Sequence, residues 1–306
     1  MLVVRINIAV IAPIHITKFG KRFMFARVAS LRQSLQRWWL YSSISILTLG
    51  IVTLGQPQIG QAAEWWQQIL IQGVQIIQLN NISDAQETSL GAQTNQALIS
   101  DKVKIYQNPV VNNYVNQIGQ RLARNSARPN LKYTFQVVED DSINAFATMG
   151  GYVYVNTGLM KAADNEAQLA GVIGHEIGHI AGRHAIQHIK QAAIAQGITS
   201  LAGVDRDQIV QIASQLVFTL PNSRQDEYDA DRRGLATMIQ TGYAPTAMPE
   251  FMKKLIGGNS APEFLSSHPA VTERVANLNK MIPSAYKSRT DGLNATTYKQ
   301  NLRSFF

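Results

Sequence analysis

Cysteine is absent from all 306 residues, which excludes a disulfide framework and a cysteine-linked lipid anchor. Any metal site in this chain must therefore be built from His, Asp or Glu. Acidic residues are absent from the first 62 positions, which hold seven of the 28 Lys/Arg. The remainder carries 21 basic and 20 acidic side chains, so the formal charge of +8 belongs almost entirely to the N-terminal segment. That distribution speaks against nucleic acid as a partner of the folded part. Long apolar runs are scarce as well: Trp38 to Leu54 is short and interrupted by Ser and Thr, which weakens a membrane-spanning reading. No internal repeat is present.

Residues 1–62 read as a targeting segment: a basic region through Arg37, an apolar core, then Gly60-Gln61-Ala62, which suits signal-peptidase cleavage before Ala63. An uncleaved anchor giving membrane association is the alternative. Met24 offers another start, because an apolar core beginning at Trp38 is late for an export signal. The expected location is therefore the periplasm or the membrane of a bacterial envelope. Residues 63–100 are Gln- and Asn-rich, with a weak helix over Trp65 to Leu79 and a linker over Asn80 to Gly91. Residues 101–282 have the pattern of one packed domain, and 283–306 read as a polar, peripheral tail. Asn81 and Asn294 head glycosylation sequons, without meaning in a bacterial protein.

What is present is concentrated in His175-Glu176-Ile177-Gly178-His179. On a helix, positions four apart share a face, so both imidazoles can bind a single Zn²⁺. Glu176 lies about 100° further round and can reach an attacking water without ligating the metal. Asp164 and Asn165 are N-cap candidates, and Leu169, Val172, Ile173, Ile177 and Ile180 recur at helical intervals. Histidines in so apolar a helix are costly unless their nitrogens are satisfied.

A third ligand is expected, with a fourth position left open. Asp226, Glu227, Asp229 and Asp231 crowd the start of a helix that runs to Thr241 and ends at Gly242 before Pro245. A nearby dication would relieve their repulsion, though Asp226 also suits a helix N-terminus in its own right. Spacing alone does not choose among the four.

Four ordered stretches do narrow the choice: Asn144 to Leu159, His175 to His179, Glu227 to Asp231, and His268-Pro269 with Arg274. Together, over about Asp84 to Met281, they resemble metallopeptidase family forty-eight, which includes the HtpX, Oma-type, CAAX prenyl and periplasmic BepA-like proteases. The similarity is greatest to the BepA-like group, without the tetratricopeptide array. The resemblance implies an α+β, gluzincin-like domain, mostly helical with a small antiparallel sheet. It also implies Glu227 as the third zinc ligand and Asp231 as the carboxylate that supports a ligand imidazole. The family's usual proline before the Gly-Gly pair is Met149 here, a change that removes no chemical group.

Asn144 to Ala147 and Tyr152 to Val155 read as two arms of a hairpin. In similar peptidases this strand is the sheet edge to which an extended peptide adds, which would make Asn144 and Ala145 substrate-binding. His268, between Ser266-Ser267 and Pro269, is functional by resemblance. Either it occupies the fourth metal position at rest as a latch, or it donates to the developing oxyanion; its loop setting favours the latch. His184 and His188 read as structural, because His184 falls five residues past His179 and turns off the ligand face. His15 lies in the targeting segment. Further helices are expected over Val110 to Ala127, Asp205 to Phe218, Thr246 to Ile256 and Val271 to Met281, with a strand over Tyr133 to Val138. The implied activity is hydrolysis of peptide bonds in misfolded or misassembled envelope proteins, with one Zn²⁺ per chain and Glu176 as general base. A zinc-containing, chaperone-like binding protein is the alternative, against which an intact Glu176 speaks.

Overall fold

Ser83 starts the first element of this computed structural model, which describes residues 82–195, 206–219, 221–257 and 262–305. The Ser83 hydroxyl accepts from Gln86 N while Gln86 Oε1 accepts from Ser83 N, a reciprocal cap that opens α1 (Asp84–Asp101). Residues 84–91 are therefore helical rather than linker. Their polar composition hides helix signals, and the helix is held by Asp84 and buried Glu87, which pair with Arg128 and Arg183.

Asn108 caps α2 (Pro109–Ala123), with proline at a first-turn position where no backbone donor is needed. Strands β1 (Thr134–Val138) and β2 (Ala145–Thr148) follow, then a turn through Met149–Gly151, β3 (Tyr152–Asn156) and the short α3 (Thr157–Ala162). The remaining elements are helical: α4 (Glu166–Gly182), α5 (His184–Ala195), α6 (Arg206–Thr219), α7 (Arg224–Thr241), α8 (Ala247–Ile256), α9 (Glu263–Ser267), α10 (Val271–Met281) and α11 (Ala295–Asn301).

The fold is mostly helical with a small sheet, as expected, and the β2–β3 pair is the expected antiparallel hairpin. The sheet as a whole is mixed rather than antiparallel, because β1 pairs with β3 in parallel and the order is β1-β3-β2. The residues say why: β3 is buried along almost its whole length, the mark of a central strand flanked on both sides. This leaves β2 as an edge. Phe218 of α6 packs edge-on against Phe146 of β2 at 5.7 Å.

Asn165 caps α4 by accepting from Gln168 N at 3.0 Å, and every residue from Ala167 to Ile180 is buried. Leu169, Ile173 and Ile177 contribute about 1.5–3 kcal/mol each through that burial. Helix α4 runs through the core between the sheet and α7, α8 and α2. Its contact with α7 is closest at Gly178, where an added Cβ would stand 2.4 Å from the Ala230 carbonyl oxygen. Glycine is required there for two helix backbones to meet, and the approach sets the ends of the Glu227 and His175 side chains within reach of each other. The C-terminal stretch is packed rather than peripheral: Tyr298 and Leu302 are buried, and the Tyr298 hydroxyl donates to the Met160 carbonyl at 2.7 Å.

Among the described residues no helix is long and apolar enough to cross a membrane. The targeting segment 1–62 with its cleavage site and His15, the helix expected over Trp65 to Leu79, and Asn81 lie outside the described residues.

Candidate active site

Four side chains from three parts of the chain converge in the interior. His175 comes from the middle of α4 and His179 from its last turn, Glu227 from the first turn of α7, and His268 from the end of α9. One potential ligand atom from each lies within 4.8 Å of the others, and all four residues are buried. The Nε2 atoms of His175 and His179 are 3.0 Å apart. Glu227 Oε2 lies 3.3 Å from His175 Nε2, and Glu227 Oε1 lies 3.2 Å from His179 Nε2. His268 Nδ1 is 3.1 Å from Glu227 Oε1 and 3.2 Å from His175 Nε2. A donor set of imidazole nitrogens and a carboxylate, turned inward on one another, is what a first-row divalent cation requires.

Glu176 stands beside this group. It is 1% exposed, and its Oε1 is buried without a hydrogen-bond partner, 3.5 Å from His268 Nε2. Burial pushes its carboxyl above the usual range. An orphaned buried carboxylate oxygen is costly unless a cation or a reactant meets it, and the site fits a metal on that ground. Asp231 accepts at 2.9 Å from the other nitrogen of His175. It is held in turn by Arg274, whose Nε and Nη2 donate to its two oxygens at 2.8 and 2.7 Å. Arg274 is wholly buried, also pairs with Glu227, and donates to the His268 carbonyl at 3.3 Å. One guanidinium thus ties α7 to the segment that carries His268. Although burial opposes ionisation, the surrounding histidines and Arg274 hold Glu227 well below the ordinary carboxylate range. Burial likewise opposes the ionisation of Asp231, and bonds to Arg274 and His175 outweigh it and lower its carboxyl.

Considering protein groups alone, burial is the largest influence on His175 and disfavours its proton, as does Arg274. Glu227 and Asp231 outweigh both and lift it to about 9. Burial drives His179 down to about 3. The two imidazoles are therefore shifted in opposite directions although they share one helix face.

His268 is not an exposed loop residue. It is 2% exposed, stacks on Phe264 at 4.4 Å, and its Nε2 lies 3.4 Å from the Ala145 carbonyl of β2. Asn144 is brought to the same corner, but its amide is engaged internally. Its Nδ2 donates to Glu263 at 3.1 Å, and its Oδ1 accepts from Ala145 N at 2.9 Å and Ser267 Oγ at 3.4 Å. It joins the edge strand to α9 through both ends of its amide. A cavity of about 80 Å³ opens from Glu176 and His268 along Phe146–Met149 towards α5 and α6.

Sequence reasoning gave three neighbours no role at the site. Asn222 Nδ2 lies 3.5 Å from both His179 Nε2 and His268 Nδ1. Arg274 had no assigned role. His184, read as facing away, meets His179 directly at 2.9 Å. The helix does not continue into it: Arg183 is left-handed at φ 56°, and that break resets the register.

Residues 109–282, from α2 to Ile282 just past α10, match the model of peptidase family M48. The beta-barrel assembly-enhancing protease of Escherichia coli K12 is 30% identical over 208 residues, 61% of this chain and 43% of that protein. The Yersinia pestis protein of the same name is 30% identical over 234 residues, 69% of this chain and 48% of its own length. The mitochondrial metalloendopeptidase OMA1 of Arabidopsis thaliana is 36% identical over 143 residues, 45% of this chain and 29% of that protein. The chain thus spans less than half the length of these relatives.

Proposed function

The chain belongs to peptidase family M48, and from that premise we propose that it is a zinc-dependent endopeptidase acting on misfolded or misassembled proteins of the cell envelope. The observation that carries this reading is the inward convergence of His175, His179 and Glu227 beside the unpartnered Glu176 carboxylate. His175, His179 and Glu227 would hold the zinc, one ion per chain. What the metal supplies when bound is Lewis acidity, which polarises the scissile carbonyl and acidifies the attacking water.

The chain's own residues do the rest. Glu176, its carboxyl raised by burial, takes a proton from the attacking water and passes it to the departing amine, ending as it began. Asp231, clamped by Arg274, accepts from His175 Nδ1 and so fixes which nitrogen faces the metal. The edge of β2 offers backbone to an extended substrate, with Ala145 nearest the cluster. Asn144 acts indirectly, by fixing that edge to α9. His268, whose Nδ1 lies 3.1 Å from Glu227 Oε1 and 3.2 Å from His175 Nε2, would close the site at rest as a latch and would have to move aside to admit substrate.

The envelope assignment rests on the basic, acid-free residues 1–62 and on the names of the bacterial relatives. N-terminal sequencing of exported protein should find a start near Ala63, whereas retained Lys21 and Arg22 would favour an anchor. For the activity, purified protein should degrade casein, stop on chelation and recover with stoichiometric zinc. Casein hydrolysis indifferent to chelator would sink the metal reading.

A further inference from the structure

We propose that His184, backed by Asp229, is a positioning residue that fixes the tautomer and ring orientation of His179. The inference rests on the reading of His175, His179 and Glu227 as a metal site. It starts from the orientation of the His179 ring. Its Nε2 faces the ligand cluster, 3.2 Å from Glu227 Oε1, and its Nδ1 faces away, 2.9 Å from His184 Nδ1.

Two imidazole nitrogens at that distance share one proton, and the chemistry dictates where it sits. A ligating Nε2 must present its lone pair to the metal, so neutral His179 carries its proton on Nδ1. His184 Nδ1 must then be the acceptor, which places the His184 proton on Nε2. That atom needs an acceptor in turn, and it has one: Asp229 Oδ2 at 3.3 Å, with Asp226 Oδ1 at 3.8 Å. Asp229 is held by Arg233 Nε at 2.5 Å and by Arg232. The chain of groups thus runs from Arg233 and Arg232 through Asp229 and His184 to His179, and a metal on His179 Nε2 would leave it only one sense.

Local structure is shaped around this contact. The left-handed break at Arg183 turns the start of α5 back on α4 and delivers the buried His184 ring to His179. At Gly182 an added Cβ would fall 2.3 Å from His184 Nε2 and 2.9 Å from Asp229 Oδ2, so a side chain there would occupy the space of the link. The two ligand imidazoles are therefore supported differently. His175 leans on a carboxylate, Asp231, at 2.9 Å, whereas His179 leans on a neutral imidazole with its carboxylate one residue further out. That arrangement orients the second ligand without adding another negative charge next to Glu227.

The test is metal affinity by chelator competition, with the visible absorption spectrum of the cobalt-substituted protein, in wild type, His184→Leu, His184→Gln and Asp229→Ala. Loss of the acceptor in His184→Leu should weaken zinc about 10–100-fold, as for other supporting groups behind metal ligands, and shift the cobalt bands as the His179 ring turns. His184→Gln can accept through its carbonyl and donate through its amide, and should restore most of the affinity and the wild-type bands. Asp229→Ala should fall between the two, since Asp226 remains as a distant acceptor. If His184→Leu does not fold, a His184→Gln variant with wild-type bands beside an Asp229→Ala variant with shifted bands still supports the link. Unchanged affinity and bands in His184→Leu and Asp229→Ala would overturn it, as would a His184→Gln variant no better than His184→Leu. Wild-type protein that takes up neither zinc nor cobalt would instead remove the site reading beneath it.

Discussion

Gly178 and Ala230 touch backbone to backbone: there is no room at Gly178 for a Cβ, which would lie 2.4 Å from the Ala230 carbonyl oxygen. The contact joins the helix that bears His175 and His179 to the helix that bears Glu227. Gly178→Ala should force α4 and α7 apart, and so strain the metal site without touching any ligand. Overpacking of this kind typically costs about 1–3 kcal/mol. Thermal unfolding and chelator competition should show lower stability and weaker zinc together. A variant with lowered melting temperature but unchanged zinc affinity would show that the helix spacing does not set the ligand geometry.

Glu176→Gln should retain near-stoichiometric metal and lose peptide hydrolysis, because an amide cannot take the proton of the attacking water. Metal analysis and a casein assay on one preparation suffice. Comparable turnover in a metal-loaded Glu176→Gln variant would remove the carboxylate from the chemistry.

Glu227→Ala should abolish tight zinc binding, and with it the stability that the ion adds to the folded state. Asp231→Ala should weaken zinc less, about 10–100-fold, but should also leave Arg274 buried with one partner fewer, at a cost of about 3–5 kcal/mol. Zinc retained by Glu227→Ala and lost by Asp231→Ala would mean that the two carboxylates exchange roles.

Metal uptake should release protons. In chelator-stripped protein, His175 is lifted to about 9 and His179 is driven to about 3, while Glu227 is held well below the carboxylate range. Of these three ligands, then, His175 is the one that must surrender a proton near neutrality. Zinc affinity should rise about tenfold per pH unit towards 9 and flatten above it. The stability of stripped protein has the opposite sign at that end. A histidine raised from 6.5 contributes fully below 6.5, and the contribution is lost as pH climbs through 9. The depressed carboxylates contribute above their unfolded values and are lost in acid. Calorimetry in buffers of different ionisation enthalpy counts the released protons; a count of zero at pH 7 would contradict the assignment.

His268→Ala should raise basal proteolysis and self-cleavage while zinc stays bound through the other three residues. The fourth position would then be open at all times. A fall of about 10²–10³ in kcat with unchanged zinc would instead identify His268 as an oxyanion donor.

The sequence made the catalytic helix legible because its signals are local: the Asn165 cap, the apolar spacing and the paired histidines all lie within α4 or at its start. The β2–β3 hairpin was legible for the same reason. Long-range pairing was not. Nothing local distinguishes β1 pairing with β3 from pairing with β2, so the parallel ladder was missed. Helix α1 was taken for linker because its polar surface hid the Ser83–Gln86 cap, and its anchors, Arg128 and Arg183, are distant in sequence. The contact of His184 with His179 was not legible, because the left-handed Arg183 ends the helical register between them. The burial of His268 depends on Phe264 and Arg274, which composition alone cannot connect to it.

The order of the converging side chains along the chain also sets when this protein can first act. A chain made from its N-terminus presents His175, Glu176 and His179 early, yet Glu227, His268 and the clamping Arg274 emerge much later. Until Glu227 is out the two histidines lack their carboxylate partner, and until Arg274 follows they lack the guanidinium that fixes it. On the proposed reading, synthesis is therefore nearly complete before the site can assemble, and the order in which its parts arrive itself keeps the growing chain from cutting.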